Sequence, residues 1–273
     1  LLIQQGQYTE ALKVLESSPA MAFELAEIER VEIFLAQNDG AQALTHLEFL
    51  SAHDLSPWLA RIGQTFTQRL SVLWGDFAVR FPWLYLDATQ SVILTTETQV
   101  LWLTQLLAQF EQADAEHILH LQQRYEIEAQ NLNALAYPVK KMWLKLLTHL
   151  PDLSQQHDDL ALHLLVEQFD QDVFYLWFQH QLLKQNPNYM AVEQQLNQFE
   201  VQYPGIPVFT FVRWHIYTAT ERMEDANQLL DLYPDNILMN YLRVKAALNG
   251  NESLIQQLNS IYEKDTNFIA FKL

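Results

Sequence analysis

Two His-Asp dipeptides, His53-Asp54 and His157-Asp158, are the residues of this sequence best suited by type and spacing to do chemistry. An imidazole nitrogen beside a carboxylate oxygen offers two ligands to a divalent metal, and an all-helical hydrolase completes such a site with groups from other helices. His117, His120 and His163 are the candidates for that completion. Composition alone supplies about half of one such dipeptide in a chain like this, so finding two carries little weight. His157-Asp158-Asp159 also falls where the first turn of a helix would favour carboxylates, and helix capping is the expected role. His117 and His120 lie one turn apart and could share a metal, yet a half-buried pair on an amphipathic face is the expected reading.

The other catalytic patterns are missing. There is no Gly-x-Gly or Gly-Lys pair to cradle phosphate, no Gly-x-Ser-x-Gly elbow, and neither His-Glu-x-x-His nor Glu-x-x-His. Only 6 glycines are present, too few for such loops. No residue is therefore assigned to catalysis, to a cofactor or to a metal.

The elements that would position any site are helices. In 207–236, Val208, Phe211, Val212, His215, Ile216 and Ala219 follow one helical face, and Ala226, Leu229, Leu230 and Tyr233 follow a second. Between them Thr220-Glu221-Arg222 is long enough only for a tight hairpin turn. Such a hairpin cannot bury both apolar stripes alone and must stack on neighbours. The sequence supplies them. Gly6-Gln7-Tyr8-Thr9-Glu10-Ala11-Leu12 leads into a helix ending near Ser17-Ser18-Pro19, and Asn38-Asp39-Gly40-Ala41-Gln42-Ala43-Leu44 repeats the layout. Phe23, Ile28, Val31 and Leu35 mark a helix between the two copies. Glu221-Arg222-Met223-Glu224-Asp225-Ala226 is a third copy. Gly6, Gly40 and Gly250 are expected in or beside turns that favour positive φ.

The pattern Gly-x-Tyr-x-x-Ala-Leu, turning into a short helix that stops near a proline, resembles the second half of a tetratricopeptide repeat, a helical hairpin of about 34 residues. Gly6, Tyr8 and Ala11 match that family's turn glycine, aromatic and small packing residue, and Ala43 and Ala226 match the small position. The first-helix Trp and Leu-Gly signature is absent, and Asn38 and Glu221 replace the glycine, so the repeats are degenerate. The resemblance covers about half of the chain and implies a right-handed α-solenoid of stacked antiparallel helical hairpins.

Three blocks are expected: N-terminal hairpins over 1–55, an irregular helical middle over 56–170, and C-terminal hairpins over 171–273, joined as one solenoid. In the last block 172–184 pairs with 189–202, and 237–248 with 253–264; an apolar tail, 267–271, opens a further helix. In the middle, Ser56-Pro57 starts a helix reaching Arg80, Thr96-Glu97-Thr98-Gln99 has capping-box form, and Asp114 caps the next helix. Residues 81–95 are expected to be helical despite the β-prone run 91–95, because one strand would have nothing to pair with.

Charge and composition narrow the function. The 273 residues are 49% hydrophobic and 12% aromatic, enough for a large core. Sixteen basic against 33 acidic residues leave a net charge of −17, which repels nucleic acid and anionic membranes. There is no cysteine, hence no disulfide or thiolate site, and neither cytoplasm nor periplasm is excluded. No apolar run is long enough to span a membrane, and no signal peptide is present. The opening at Leu1, inside a helical pattern, suggests a fragment of a longer protein. Lys140, Lys141 and Lys145 are expected on the wet side of a helix, and Glu24, Glu27, Glu29 and Glu32 on a solvated face. Most of the 7 tryptophans should fill the core.

The expected function is a non-enzymatic protein–protein interaction scaffold that holds a basic or apolar partner segment on a concave helical surface. An all-α hydrolase, of the His-Asp metal type or a glycan-active helical toroid, is the alternative. A docking or regulatory arm of a larger enzyme is another.

Overall fold

In the computed structural model of the protein, the described residues are 1–17, 23–52, 57–87, 95–184, 186–232, 237–248, 253 and 256. Among them the chain is helical and no strand occurs, so the protein is all-α. Thirteen α-helices follow one another among the described residues, with short 3-10 turns at some of the junctions. None of the described helices is long and apolar enough to cross a membrane. The chain divides into two compact units, Leu1–Leu160 and Ala161–Leu273.

The first unit holds α1 (Tyr8–Glu16), α2 (Phe23–Ala36), α3 (Gly40–Ala52), α4 (Pro57–Arg80), α5 (Thr96–Gln109), α6 (Ala115–Ala129) and α7 (Tyr137–Leu147). The unit boundary falls within α8 (Ser154–Glu167). Helices adjacent in sequence pack together: α1 on α2, α2 on α3, α3 on α4 and α4 on α5, with α5 also on α7. Pro57 opens α4, where a missing N–H costs nothing, and the helix runs to Arg80 as its periodicity predicts. Asp114 caps α6 by accepting from the His117 N–H at 3.0 Å. The α5 cap lies one residue earlier than expected: Thr95 Oγ1 accepts from the Thr98 N–H at 3.3 Å. Thr95 has the extended backbone a cap requires, whereas Thr96 is already helical.

The unit's core is aromatic. Trp74, Tyr85, Trp102, Tyr125 and Trp143 are all buried, and their rings pass contact along the series at centroid distances from 4.1 to 6.1 Å. The Trp102 indole N–H donates to the Pro82 carbonyl at 3.1 Å, which satisfies its buried polar end. Burial, assisted by the Asp159 charge, pushes the Tyr125 phenol up to about 12.

Two expectations about charge are corrected here. Glu27 is 4% exposed, because Arg30 and His46 meet its carboxylate; Glu29 and Glu32 instead share the Arg69 guanidinium, at 2.7 and 2.6 Å. Lys140 is only 2% exposed, lying in α7 next to Val139 on the side that packs inward. Of the stretch 81–95, the structure describes a single 3-10 turn, Leu84–Asp87, where a longer helix was expected; 88–94 lie outside the described residues.

The second unit contains α9 (Gln171–Leu183), α10 (Tyr189–Gln202), α11 (Pro207–Ala219), α12 (Met223–Leu230) and α13 (Ile237–Ala247). Here α10 packs on α11, α11 on α12 and α12 on α13, while α11 also touches both α9 and α13. Asp170 and Asn188 cap α9 and α10 through their side chains. Phe174, Phe178, Phe209, Phe211 and Trp177 form the core. The segment 257–273, with its apolar run 267–271, lies outside the described residues.

Three turns share one backbone geometry. Gly6, Asn38 and Glu221 all take positive φ, at 71°, 61° and 61°. At each turn the N–H of that residue donates to the carbonyl three back: Gly6 to Ile3, Asn38 to Leu35, Glu221 to Thr218. The next N–H reaches five back, from Gln7 to Leu2, Asp39 to Phe34 and Arg222 to Tyr217, which completes a Schellman closure. Two residues beyond the positive φ a new helix begins, and five residues beyond it stand Ala11, Ala43 and Ala226, each buried at 4% exposure or less. Gly40 lies beside the Asn38 turn, as expected, and not at its positive-φ position; Gly250 lies outside the described residues. Gly40 opens α3 with its Cα against the Phe81 ring, where a Cβ would lie 2.5 Å from a ring carbon.

Candidate functional site

The second unit brings side chains from α9, α11 and α13 into one largely buried cluster. Tyr175 comes from α9, Phe211 and His215 from α11, Tyr241 and Lys245 from α13. Tyr241 and Lys245 are one turn apart, so both lie on one side of α13, and the Lys245 Nζ stands 5.8 Å from the Tyr241 ring centroid. Phe211 and His215 have the same spacing on α11, with ring centroids 4.5 Å apart in an edge-on arrangement. Phe211 also lies 6.4 Å from Tyr175, and His215 lies 6.3 Å from Phe178.

The electrostatics follow from that packing. Burial first, and the Lys245 charge second, hold the His215 imidazole down to about 3. It is neutral at pH 7, and its Nε2 is buried with no hydrogen-bond partner among the described residues. Burial lowers the Lys245 ammonium and raises the Tyr241 and Tyr175 phenols. Among the described residues Lys245 has no carboxylate within salt-bridge distance. An imidazole held so low is almost never protonated at neutral pH and is a weak base, so general acid–base work is a poor fit. Tyr175, Phe211 and Tyr241 are 5%, 1% and 4% exposed, so solvent reaches this cluster only at His215 and Lys245, both partly exposed. The expectation that His215 packs on Phe211 agrees with these contacts.

A second concave feature lies in the first unit. Between α4 and α5 runs an open groove of about 670 Å³, lined by Gln68, Val72, Gly75, Asp76, Val79 and Leu101 together with Ser71, Thr95 and Thr98.

Among the described residues, each histidine singled out from the sequence lies beside a carboxylate within four residues of it. His53-Asp54 lies outside the described residues. His157 is wholly buried within α8, its Nδ1 3.7 Å from Asp158 Oδ1. The capping role is corrected, since α8 starts at Ser154 and has no acidic residue in its first turn. His117 and His120 pair with carboxylates of their own helix, His117 with Asp114 at 3.0 Å and His120 with Glu116 at 3.8 Å. His117 also stacks on Trp83, 5.0 Å between centroids. His163 lies 3.8 Å from Glu167 one turn on. Trp74, Trp102, Trp143, Trp177 and Trp214 are buried, as expected of core tryptophans.

Sequence reasoning missed Tyr175, Tyr241 and Lys245, whose meeting depends on α11 lying between α9 and α13. The Val72, Gly75, Val79 stripe was readable as a line of small and apolar residues on the outer side of α4. No protein-family model, no curated protein and no solved structure matches this chain.

Proposed function

We propose that this protein is a non-enzymatic scaffold that binds a partner peptide or domain along the concave face of a right-handed α-solenoid, similar to the tetratricopeptide repeat family. The reading is supported by the packing of consecutive helices from α1 to α5 and from α10 to α13 and by the closure repeated at Gly6, Asn38 and Glu221. Stacked hairpins place alternate helices side by side, and α9, α11 and α13 stand in that relation.

The observation that carries the functional part is the partly exposed edge that His215 and Lys245 make over the buried rings of Tyr175, Phe211 and Tyr241. A partly desolvated lysine beside a neutral imidazole gives a docking partner direction. An apolar segment of a partner protein is the favoured occupant of this edge. The overall charge of −17 favours basic segments elsewhere on the surface and disfavours nucleic acid.

Affinity capture from the native lysate tests the reading. The wild-type chain retains a stoichiometric partner, and Lys245→Glu releases it while the helical circular dichroism is unchanged. A well-folded chain that retains nothing overturns the proposal.

A further inference from the structure

We propose that the groove between α4 and α5 is a docking site for an amphipathic helix of another protein, apolar on the face it buries and carrying a lysine or arginine toward Asp76. The inference rests on the scaffold reading and gives that reading a second site with its own partner chemistry.

The inner side of α4 is fully used: Phe66, Leu73, Trp74, Phe77 and Ala78 are buried. The outer stripe, Gln68, Val72, Gly75 and Val79, has the three-and-four spacing of a face that a further helix would cover. It spans roughly 16 Å of helix, about three turns. Val72 is 66% exposed and Leu101, across the groove on α5, is 43% exposed. Two apolar side chains open to water on opposite walls of one groove are the arrangement of helix-in-groove recognition.

Gly75 lies at the floor and supplies an independent sign. A glycine in mid-helix costs about 1 kcal/mol relative to alanine. Packing within the chain does not demand it, because a Cβ there would meet only Thr98, at an ordinary 3.7 Å. Its absence leaves room for close approach from outside.

Charge selects the occupant. Among the described side chains of α4 both basic residues reach back to α2, Arg69 to Glu29 and Glu32 and Arg80 to the Leu35 carbonyl. No basic residue lines the groove, whereas Asp76 does, and it makes no hydrogen bond or ion pair among the described residues. Glu97, exposed in the first turn of α5, lies one turn before Leu101 on the same side of the helix. The walls are apolar and the rim is acidic, which matches a basic amphipathic helix.

A fluorescent Leu/Lys peptide patterned as an amphipathic helix of about four turns is the probe, titrated against the full chain by anisotropy. The proposal expects saturable binding that weakens about tenfold or more in Gly75→Leu, which fills the floor, and in Asp76→Lys. Gly75→Leu should unfold no earlier than wild type. If it does unfold earlier, Val72→Glu replaces it: this variant adds acid, so it weakens groove binding yet strengthens adhesion driven by charge alone. Absence of saturable binding overturns the proposal, as does binding that Gly75→Leu leaves intact or Val72→Glu tightens. A wild-type dimer that Gly75→Leu converts to monomer would make a second copy the occupant, and overturns it too. Lysate capture at the α9, α11 and α13 edge is untouched by these results, so the two readings fail separately.

Discussion

The Lys245 ammonium lies 5.8 Å from the centroid of the Tyr241 ring, one turn earlier on α13, and its charge adds to burial in keeping the neighbouring His215 neutral. The partly exposed edge of this buried aromatic cluster therefore carries a single cation and a neutral imidazole.

His215 should therefore be silent between pH 5 and 8. Its imidazole protonates at about 3 in the folded chain and near the ordinary 6.5 when unfolded. Above 6.5 neither state binds the proton and stability is unaffected. Below 6.5 the unfolded chain alone takes it up, so stability falls by up to about 1.4 kcal/mol per pH unit as pH drops toward 3. Urea unfolding from pH 7.5 to 4.5 should show His215→Leu with a flatter acid limb than wild type. Lys245→Met should raise the His215 value only partly, since burial is the larger cause. A ring that titrates near 6.5 by NMR would contradict this.

The repeated turn makes Glu221 a strained residue. A side chain at positive φ costs about 1–2 kcal/mol, part of which glycine recovers after its larger unfolded-state entropy. Glu221→Gly should stabilise the protein by about 0.5–1 kcal/mol, whereas Gly6→Ala should destabilise it by a similar amount. Thermal denaturation of the two variants checks the opposite signs.

Gly40 and Gly75 should respond oppositely to the same change. Gly40→Ala drives a methyl into the Phe81 ring, within 2.5 Å, and should cost about 1–3 kcal/mol. Phe81→Leu should relieve part of that cost in the double variant. Gly75→Ala meets no clash and should gain about 0.5–1 kcal/mol. Chemical denaturation of the four proteins separates steric from conformational effects.

The aromatic series of the first unit predicts a graded response. Trp102→Phe keeps most of the ring but orphans the Pro82 carbonyl, at a cost of about 1–2 kcal/mol. Trp143→Ala removes a 1% exposed side chain and should cost about 3–5 kcal/mol. Equal losses in the two variants would show that the core reorganises around Trp143.

Much of the helical framework was legible because its signals are local. Pro57, Pro207, Asp114 and the stripes of α2 and α10 act within one or two turns of themselves. The common geometry of Gly6, Asn38 and Glu221 was legible only as an alignment of three short stretches, since neither Asn nor Glu announces positive φ. Long-range pairing hid the rest. Glu27 looks like part of a solvated run until His46 of α3 is brought against it, and Lys140 looks wet until α7 is packed. The cluster in the second unit was illegible for the same reason: Tyr175, His215 and Lys245 stand on three helices, and each by itself is an ordinary helical residue.

Hydrogen exchange of the chain, alone and with the partner it retains from its native lysate, tests the scaffold reading most directly. The account predicts added protection concentrated in α9, α11 and α13 around Tyr175, His215 and Lys245. Protection confined to other helices would contradict it, and so would a chain that captures no partner but holds a stoichiometric metal and turns over a substrate.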